Sequence, residues 1–212
     1  MAQIDLKGMG VALVTPFKAD KSIDFDALGV LIEYLIGNEC DYIVVLGTTA
    51  ETPTLSKDER QQVKDYVRKR VARRVPLIVG HGGNNTMELV NELKTGDFEG
   101  FSAILSVVPY YNKPSQEGIY QHYKAIAEAS PLPVILYNVP GRTGVNMSAD
   151  TTLRLAYEFE NIIGVKEASG NITQMDDIIK NKPARFDVIS GDDGVTFPLL
   201  TLGAVGVISV IG

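Results

Sequence analysis

The sequence has 212 residues, of which 45% are hydrophobic and 22% charged, and its formal net charge is −6. This size and composition suit one globular domain, so residues 1–212 are taken as a single domain. An acidic chain disfavours general binding to nucleic acid or to anionic membranes, and neither partner is expected. The single cysteine, Cys40, permits no internal disulfide, and neither a signal peptide nor a transmembrane helix is visible. We therefore expect a cytoplasmic protein.

Short apolar, β-branched runs alternate with longer stretches of helical periodicity. The eight predicted strands are Gly10–Phe17, Tyr42–Gly47, Leu77–His81, Ala103–Pro109, Val134–Asn138, Ile162–Ala168, Asp187–Gly191 and Val205–Ile211. The seven predicted helices are 24–37, 56–72, 86–95, 115–129, 148–158, 172–180 and 194–202. This alternation predicts an α/β fold of the (β/α)8 TIM-barrel type. An open doubly wound sheet is the alternative, but the sequence has no glycine-rich dinucleotide fingerprint.

The chain stops just after the eighth predicted strand, at Gly212. An eighth strand without its covering helix would leave apolar surface exposed. We therefore expect that the eighth helix and a C-terminal helical region are missing, and that this sequence is a C-terminally truncated stretch of a longer protein.

Lys166 stands at the end of an otherwise apolar strand. Burial favours the neutral form of a lysine, and a neutral amine at the mouth of a barrel is what Schiff-base formation with a keto acid requires. The catalytic groups of such barrels lie at the C-terminal ends of the strands. A lysine that extends to solvent or pairs with a carboxylate explains the strand equally well on this evidence alone.

Other polar residues are predicted at the same end of the barrel, and each has a structural alternative. Tyr137 suits proton transfer or an aromatic plug of the barrel. Thr48 and Thr49 suit carboxylate binding or ordinary turn chemistry. Arg142 suits binding of a second carboxylate or exposure in a loop. Tyr111 suits surface packing or an oligomer contact.

No metal site or cofactor is expected. The two histidines, His81 and His122, are far apart in sequence and lack ligand spacing. Asp192 and Asp193 suit capping of the next helix better than binding of a divalent cation.

Five motifs follow one another along the chain: Gly-Thr-Thr-Ala-Glu at 47–51, Tyr-Tyr-Asn-Lys-Pro at 110–114, Tyr-Asn-Val-Pro-Gly-Arg-Thr-Gly at 137–144, Gly-Val-Lys-Glu-Ala at 164–168 and Ser-Gly-Asp-Asp at 190–193. Together they resemble the dihydrodipicolinate synthase / N-acetylneuraminate lyase family of class I aldolase-like barrels. Within that family the pattern is most similar to enzymes that condense pyruvate with aspartate semialdehyde on the way to lysine and diaminopimelate.

The resemblance implies a role for each of these residues. Lys166 would form the imine with pyruvate, and Tyr137, Thr48 and Tyr111 would form a proton relay. Thr49 would help Thr48 to hold the pyruvate carboxylate. The remaining substrate-binding residues implied by the resemblance are Arg142, for the carboxylate of the semialdehyde, and Gly191 and Ile208, which complete the pocket. Tyr111 would reach the site of a neighbouring subunit in a homo-oligomer, a homotetramer built as a dimer of dimers.

The resemblance also bears on inhibition by lysine. Members that lysine inhibits carry histidines where this sequence has Lys57 and Arg60. Asn84, Glu88 and Tyr110 match the effector site, yet the two substitutions predict weak or absent feedback by lysine.

Two other functions stay open from the sequence. One is an N-acetylneuraminate or sugar-acid lyase of the same family, although Arg142 favours a second substrate with a carboxylate. The other is a non-catalytic barrel used for binding or assembly, which would be expected to lose Lys166 or Tyr137.

Overall fold

A computed structural model describes residues 4–212 and has eight parallel strands closed into a barrel in chain order, with the last strand paired to the first. The strands are β1 (Gly8–Ala12), β2 (Tyr42–Val45), β3 (Leu77–Gly80), β4 (Ala103–Val107), β5 (Val134–Asn138), β6 (Ile162–Glu167), β7 (Asp187–Ser190) and β8 (Gly206–Ser209). The helices are α1 (Phe25–Gly37), α2 (Lys57–Val71), α3 (Thr86–Thr95), α4 (Gln116–Ala129), α5 (Pro140–Thr143), α6 (Ala149–Glu158), α7 (Ile172–Asn181) and α8 (Thr196–Leu202). The predicted (β/α)8 TIM barrel is confirmed.

Local sequence signals set the starts of the helices. The Ser56 side chain accepts a hydrogen bond from the backbone N–H of Glu59, whose carboxylate accepts one from the Ser56 N–H, which completes a capping box at α2. Three further helices, α3, α4 and α6, have side-chain caps. In each, the side-chain oxygen of the capping residue accepts a hydrogen bond from a backbone N–H in the first turn; these residues are Asn85, Ser115 and Ser148.

Two apolar layers hold the fold together. Alternate residues of the strands fill the interior of the barrel, including Tyr42, Ile78 and Ile189. The opposite faces of the strands pack against the helices, as do Val63, Val67 and Val71 of α2. Strands covered on both sides explain the nearly continuous apolar runs in the sequence.

Several strand boundaries differ from the predicted ones. β1 begins at Gly8 and ends at Ala12, so the predicted strand Gly10–Phe17 extends too far towards the C-terminus. β2 ends at Val45 because Leu46 adopts a positive φ of 56°, which turns the chain out of the sheet. The four-residue helix α5 was not predicted, and it lies in the loop after β5.

β6 departs from simple alternation. Val134 pairs with Ile162 and Ile135 with Gly164, so Ile163 is an extra residue in β6. Ile163 belongs to the interior of the barrel, whereas Val165 belongs to the layer under the helices. The bulge therefore sets which face of the strand carries the residues that follow it.

Within residues 4–212, no helix follows β8, which ends at Ser209. Nor does this described part contain a helix with the length and apolar character needed to cross a membrane.

Candidate active site

The centre of the site is a lysine paired with a tyrosine. Lys166 on β6 and Tyr137 on β5 are directly opposite each other in the strand register. Lys166 is 3% exposed and Tyr137 is 6% exposed, and the lysine Nζ lies 4.6 Å from the centroid of the tyrosine ring. Both residues stand near the C-terminal ends of their strands, where barrel enzymes place their catalytic groups.

The surroundings of Lys166 favour its neutral amine. Burial lowers the pKa of Lys166 from 10.5 to about 8; the Asp193 carboxylate acts in the opposite direction and the Arg142 charge in the same direction as burial. A buried lysine close to a cation and an aromatic ring is therefore partly deprotonated near neutral pH, which is the form that attacks a carbonyl carbon. The alternative of a lysine that extends to solvent does not fit a residue that is 3% exposed.

Gly191 allows the Lys166 side chain to lie where it does. A Cβ atom at this position would come within 2.9 Å of the Lys166 Cε and 2.8 Å of the Ala168 Cβ. Any larger residue would therefore have to displace the lysine or the strand. Ile208 on β8 is fully buried in the apolar interior of the barrel.

Thr48 and Thr49 lie in a short 3-10 turn, Thr48–Ala50, that follows β2. The turn is held by the segment that follows β1, because the buried Thr15 hydroxyl donates a 2.8 Å hydrogen bond to the Ala50 carbonyl. Burial raises the pKa of the Tyr137 phenol, while hydrogen bonding with Thr48 and the charge of Arg142 act in the opposite direction. Thr48 and Arg142 thus both lie close enough to Tyr137 to affect its ionisation.

Arg142 lies on α5, at the same mouth of the barrel. The helix begins with Pro140 and ends at Gly144, which adopts the left-handed conformation at φ 74°. Arg142 is exposed, as the loop interpretation expected, yet its charge acts on both Lys166 and Tyr137. An exposed guanidinium beside a buried amine can bind a carboxylate that enters from solvent.

Tyr111 is not buried with the other candidate residues. Its side chain is 87% exposed and its backbone has a positive φ of 73°, a strained conformation for a bulky residue. Tyr110 before it is half-buried, and its carbonyl accepts a hydrogen bond from the Asn84 side chain.

A cavity of about 480 Å³ opens at this end of the barrel. Thr48, Tyr137 and Arg142 line one part of it, and the cavity continues outward past Lys57 and Arg60 of α2. A cavity of this size can hold small carboxylic acids with room to spare.

His122 and Asp192 have structural roles outside the site. His122 is a buried helix residue whose Nδ1 lies 2.7 Å from the Thr86 hydroxyl oxygen. Asp192 accepts a hydrogen bond from the Gly194 N–H, as predicted for a cap. Residues 4–212 contain no group of three or more His, Cys, Asp or Glu side chains arranged to hold a metal ion.

Sequence reasoning missed three residues around the site. The Asp193 carboxylate raises the pKa of Lys166, and it accepts a hydrogen bond from the Val210 N–H. Glu167 and Asn138 are fully buried and hydrogen-bonded to each other directly behind Lys166 and Tyr137. Polar residues on the outer face of the otherwise apolar strands β5 and β6 were the sequence signal that could have identified Glu167 and Asn138.

Together the closed barrel, the buried lysine and the tyrosine beside it define the class of the molecule, a (β/α)8 barrel with a buried lysine at the C-terminal end of its sixth strand. The chain belongs to the dihydrodipicolinate synthetase family, whose model matches residues 5–212. The family predicted from the five motifs is thus confirmed.

Two relatives that cover the whole chain bear the same name. A 4-hydroxy-tetrahydrodipicolinate synthase of Parabacteroides distasonis is 71% identical over 212 residues, which make up 71% of its own length. The enzyme of the same name from Phocaeicola vulgatus is 68% identical over the same 212 residues, again 71% of its length. These relatives confirm the prediction that the chain is an enzyme of this family.

Solved structures agree with the fold. The crystal structure of dihydrodipicolinate synthase from Aquifex aeolicus is 46% identical and superposes with a TM-score of 0.92, covering 97% of this chain and 70% of that one. The synthase from Bacillus anthracis is 48% identical with a TM-score of 0.93, covering 98% of this chain and 71% of that one.

Proposed function

We propose that this barrel condenses pyruvate with aspartate 4-semialdehyde to give 4-hydroxy-tetrahydrodipicolinate, with pyruvate held as an imine on Lys166, in the biosynthesis of lysine and diaminopimelate. The observation that carries the proposal is the burial of Lys166 against the ring of Tyr137, with Nζ 4.6 Å from the ring centroid. The names of the two relatives that cover the whole chain support the choice of substrates.

The first half of the reaction is assigned to the lysine. The neutral amine adds to the C2 ketone of pyruvate, and loss of water from the carbinolamine leaves the imine. Each proton shift in this step needs a group that both gives and takes a proton, and the Tyr137 phenol is adjacent. Thr48, which lies close enough to Tyr137 to lower the pKa of its phenol, is assigned as the next member of a proton relay.

The second half joins the two substrates. Loss of a proton from C3 of the imine gives an enamine, and C3 then attacks the aldehyde carbon of the semialdehyde. The amino group of the semialdehyde attacks C2, displaces Lys166 and closes a six-membered ring. The free amine of Lys166 is thereby restored for the next cycle.

Two carboxylates need partners in this scheme. We assign the pyruvate carboxylate to the turn Thr48–Ala50, where the hydroxyls and N–H groups of Thr48 and Thr49 are available as donors. Arg142 receives the carboxylate of the semialdehyde, because its guanidinium is exposed yet close to the amine. Gly191, which lies against the Lys166 side chain, and the buried Ile208 are assigned to the inner end of the substrate site.

Assembly belongs to the same proposal. Tyr111 is 87% exposed and strained, which suits a side chain that acts in the site of a neighbouring subunit. We therefore infer a homo-oligomer, a dimer of dimers, in the cytoplasm. One solved relative, 42% identical, is described as the first monomeric dihydrodipicolinate synthase variant.

Turnover decides between substrates. The protein is incubated with pyruvate and aspartate semialdehyde in one assay and with N-acetylneuraminate in another, and products are identified by mass spectrometry. We expect the cyclic product in the first assay and no cleavage in the second. Cleavage of N-acetylneuraminate without condensation would assign a sugar-acid lyase, and no reaction in either assay would favour a non-catalytic barrel.

A further inference from the structure

Glu167 is a buried carboxylate directly behind the reactive pair. It follows Lys166 on β6 and is 0% exposed. In the strand register it is opposite Asn138, just as Lys166 is opposite Tyr137. Successive residues of a strand point to opposite faces, so one pair faces the mouth of the barrel and the other faces the helix layer.

Donors surround the Glu167 carboxylate. Its Oε1 accepts hydrogen bonds from Asn138 Nδ2 at 3.1 Å and from the Ser169 N–H at 2.9 Å, and its Oε2 accepts one from Gln174 Nε2 at 3.1 Å. An ionised carboxylate is an acceptor at both oxygens and satisfies all three donors at once. Burial raises the pKa of Glu167, and these hydrogen bonds counteract that effect.

The orientations of the Asn138 and Gln174 side-chain amides are fixed by other hydrogen bonds. The Oδ1 atom of Asn138 accepts the Met147 N–H at 3.0 Å, which directs its Nδ2 towards Glu167. The Oε1 atom of Gln174 accepts from Asn146 Nδ2 at 2.8 Å, which directs its Nε2 the same way. Residue 167 must therefore present a hydrogen-bond acceptor at both terminal atoms of its side chain.

The same network closes the loop that carries Arg142. Asn138 precedes the loop and holds Met147 at its far end through both its oxygen and its nitrogen. Gln174 of α7 donates to the Met147 carbonyl at 3.1 Å, so the closure is also tied to a helix. Glu167 thus joins β5, β6, α7 and the Arg142 loop at one buried point.

We propose that Glu167 is a positioning residue that fixes Lys166, Tyr137 and Arg142 relative to one another. The inference rests on the proposed function, since it assigns those three residues to one reaction. Residues that orient catalytic groups from behind have large effects on rate without touching substrate. Glu167 acts through the backbone of β6 and the closed loop.

The decisive variant is Glu167→Gln, which keeps the size of the side chain and replaces one acceptor oxygen with a donor. We expect kcat/KM for the semialdehyde to fall by about tenfold to a hundredfold. The KM for this substrate should rise, because Arg142 is no longer held, while pyruvate still forms its adduct on Lys166. Asn161→Ala is the matched control, since it removes the hydrogen bond that the residue just before β6 donates to the Ala127 carbonyl, far from Lys166.

A double-mutant cycle separates positioning from loss of stability. If Glu167 positions Arg142, then Arg142→Ala costs much less in the Glu167→Gln background than in the unaltered protein. Independent, multiplicative effects, or an unchanged kcat/KM in Glu167→Gln, would overturn the inference. If Glu167→Gln does not fold, Gln174→Ala tests the same network from α7, with a smaller fall in kcat/KM and the same coupling to Arg142.

The result also separates this inference from the proposed function. Absence of condensation by the unaltered protein would reject the proposed function. Condensation by the unaltered protein, together with an undiminished Glu167→Gln variant, would reject only the positioning role.

Discussion

The Lys166 Nζ lies 4.6 Å from the centroid of the Tyr137 ring, and the two residues are direct partners between β6 and β5. Strand pairing therefore brings an amine and a phenol together without help from any loop. Because both side chains are nearly fully buried, the amine loses its hydration and part of its basicity. In the proposed reaction this relationship makes the amine nucleophilic, and it also has a cost in stability.

Replacing Lys166 with methionine is expected to stabilise the protein at pH 7. The pKa of Lys166 falls from 10.5 to about 8 on folding, so below pH 8 the folded state carries a charge that burial disfavours. Such a shift corresponds to on the order of 3 kcal/mol. This destabilisation is fully present below the pKa of Lys166 in the folded state, about 8. It disappears as the pH rises above the pKa of the unfolded state, 10.5. Denaturant unfolding at pH 7 and pH 10 measures it, and a gain for Lys166→Met that does not shrink with rising pH would contradict this explanation.

Gly191→Ala should slow adduct formation with pyruvate by about tenfold or more while the barrel still folds. The new Cβ would lie 2.9 Å from the Lys166 Cε, so the amine must move. Gly37→Ala is the matched control, because a Cβ there meets nothing within 4 Å. The rate of borohydride-trapped adduct formation is the measurement, and equal rates in both variants would show that Gly191 does not set the position of the lysine.

The proposed role of Tyr111 predicts complementation between inactive variants. Tyr111→Phe and Lys166→Ala should each lose most of the activity. If Tyr111 serves the neighbouring subunit, mixed oligomers regain activity, because one of their sites combines an intact Lys166 with an intact Tyr111 from the partner. The two variants are co-expressed and the mixed oligomer is assayed after purification. Failure of purified mixed oligomers to regain activity would place Tyr111 in its own subunit's site or outside the reaction.

Weak inhibition by lysine is expected at millimolar concentrations. Lys57 Nζ forms ion pairs with Glu88 at 2.9 Å and with Glu92 at 3.1 Å, so a positive charge already occupies the carboxylate that matches the effector site. A second ammonium group would have to compete with it. Lys57→Ala should therefore increase sensitivity to lysine in a steady-state inhibition assay. Strong inhibition of the unaltered protein by lysine would refute this prediction.

Most of the fold was accessible from the sequence because its signals are local. Apolar runs with helical stretches between them place all eight strands, and the capping residues Ser56, Asn85, Ser115 and Ser148 mark helix starts. The positive φ of Leu46 and the extra residue Ile163 were not predictable, because leucine rarely adopts a positive φ and isoleucine fits a regular strand equally well. The extra residue shows only in the register of β5 against β6.

The candidate site also contains residues that the sequence predicts and residues that it does not. Lys166, Tyr137, Thr48 and Arg142 stand at strand ends or in the loops after them, where barrel geometry makes proximity predictable. The pair Glu167 and Asn138 was missed because each residue looks like an ordinary polar strand end. Only the register of β5 against β6 shows that they meet, and only the loop closure by Met147 shows what they hold.

Trapping of the imine shows whether Lys166 forms a Schiff base with pyruvate. The protein is incubated with pyruvate and sodium borohydride, digested, and mapped by mass spectrometry, with Lys166→Ala as the control. We predict one reduced pyruvate adduct on Lys166, absent from the variant, whose rate of formation rises about tenfold between pH 7 and pH 9 as the amine deprotonates. No adduct, or an adduct on a different lysine, would contradict the account.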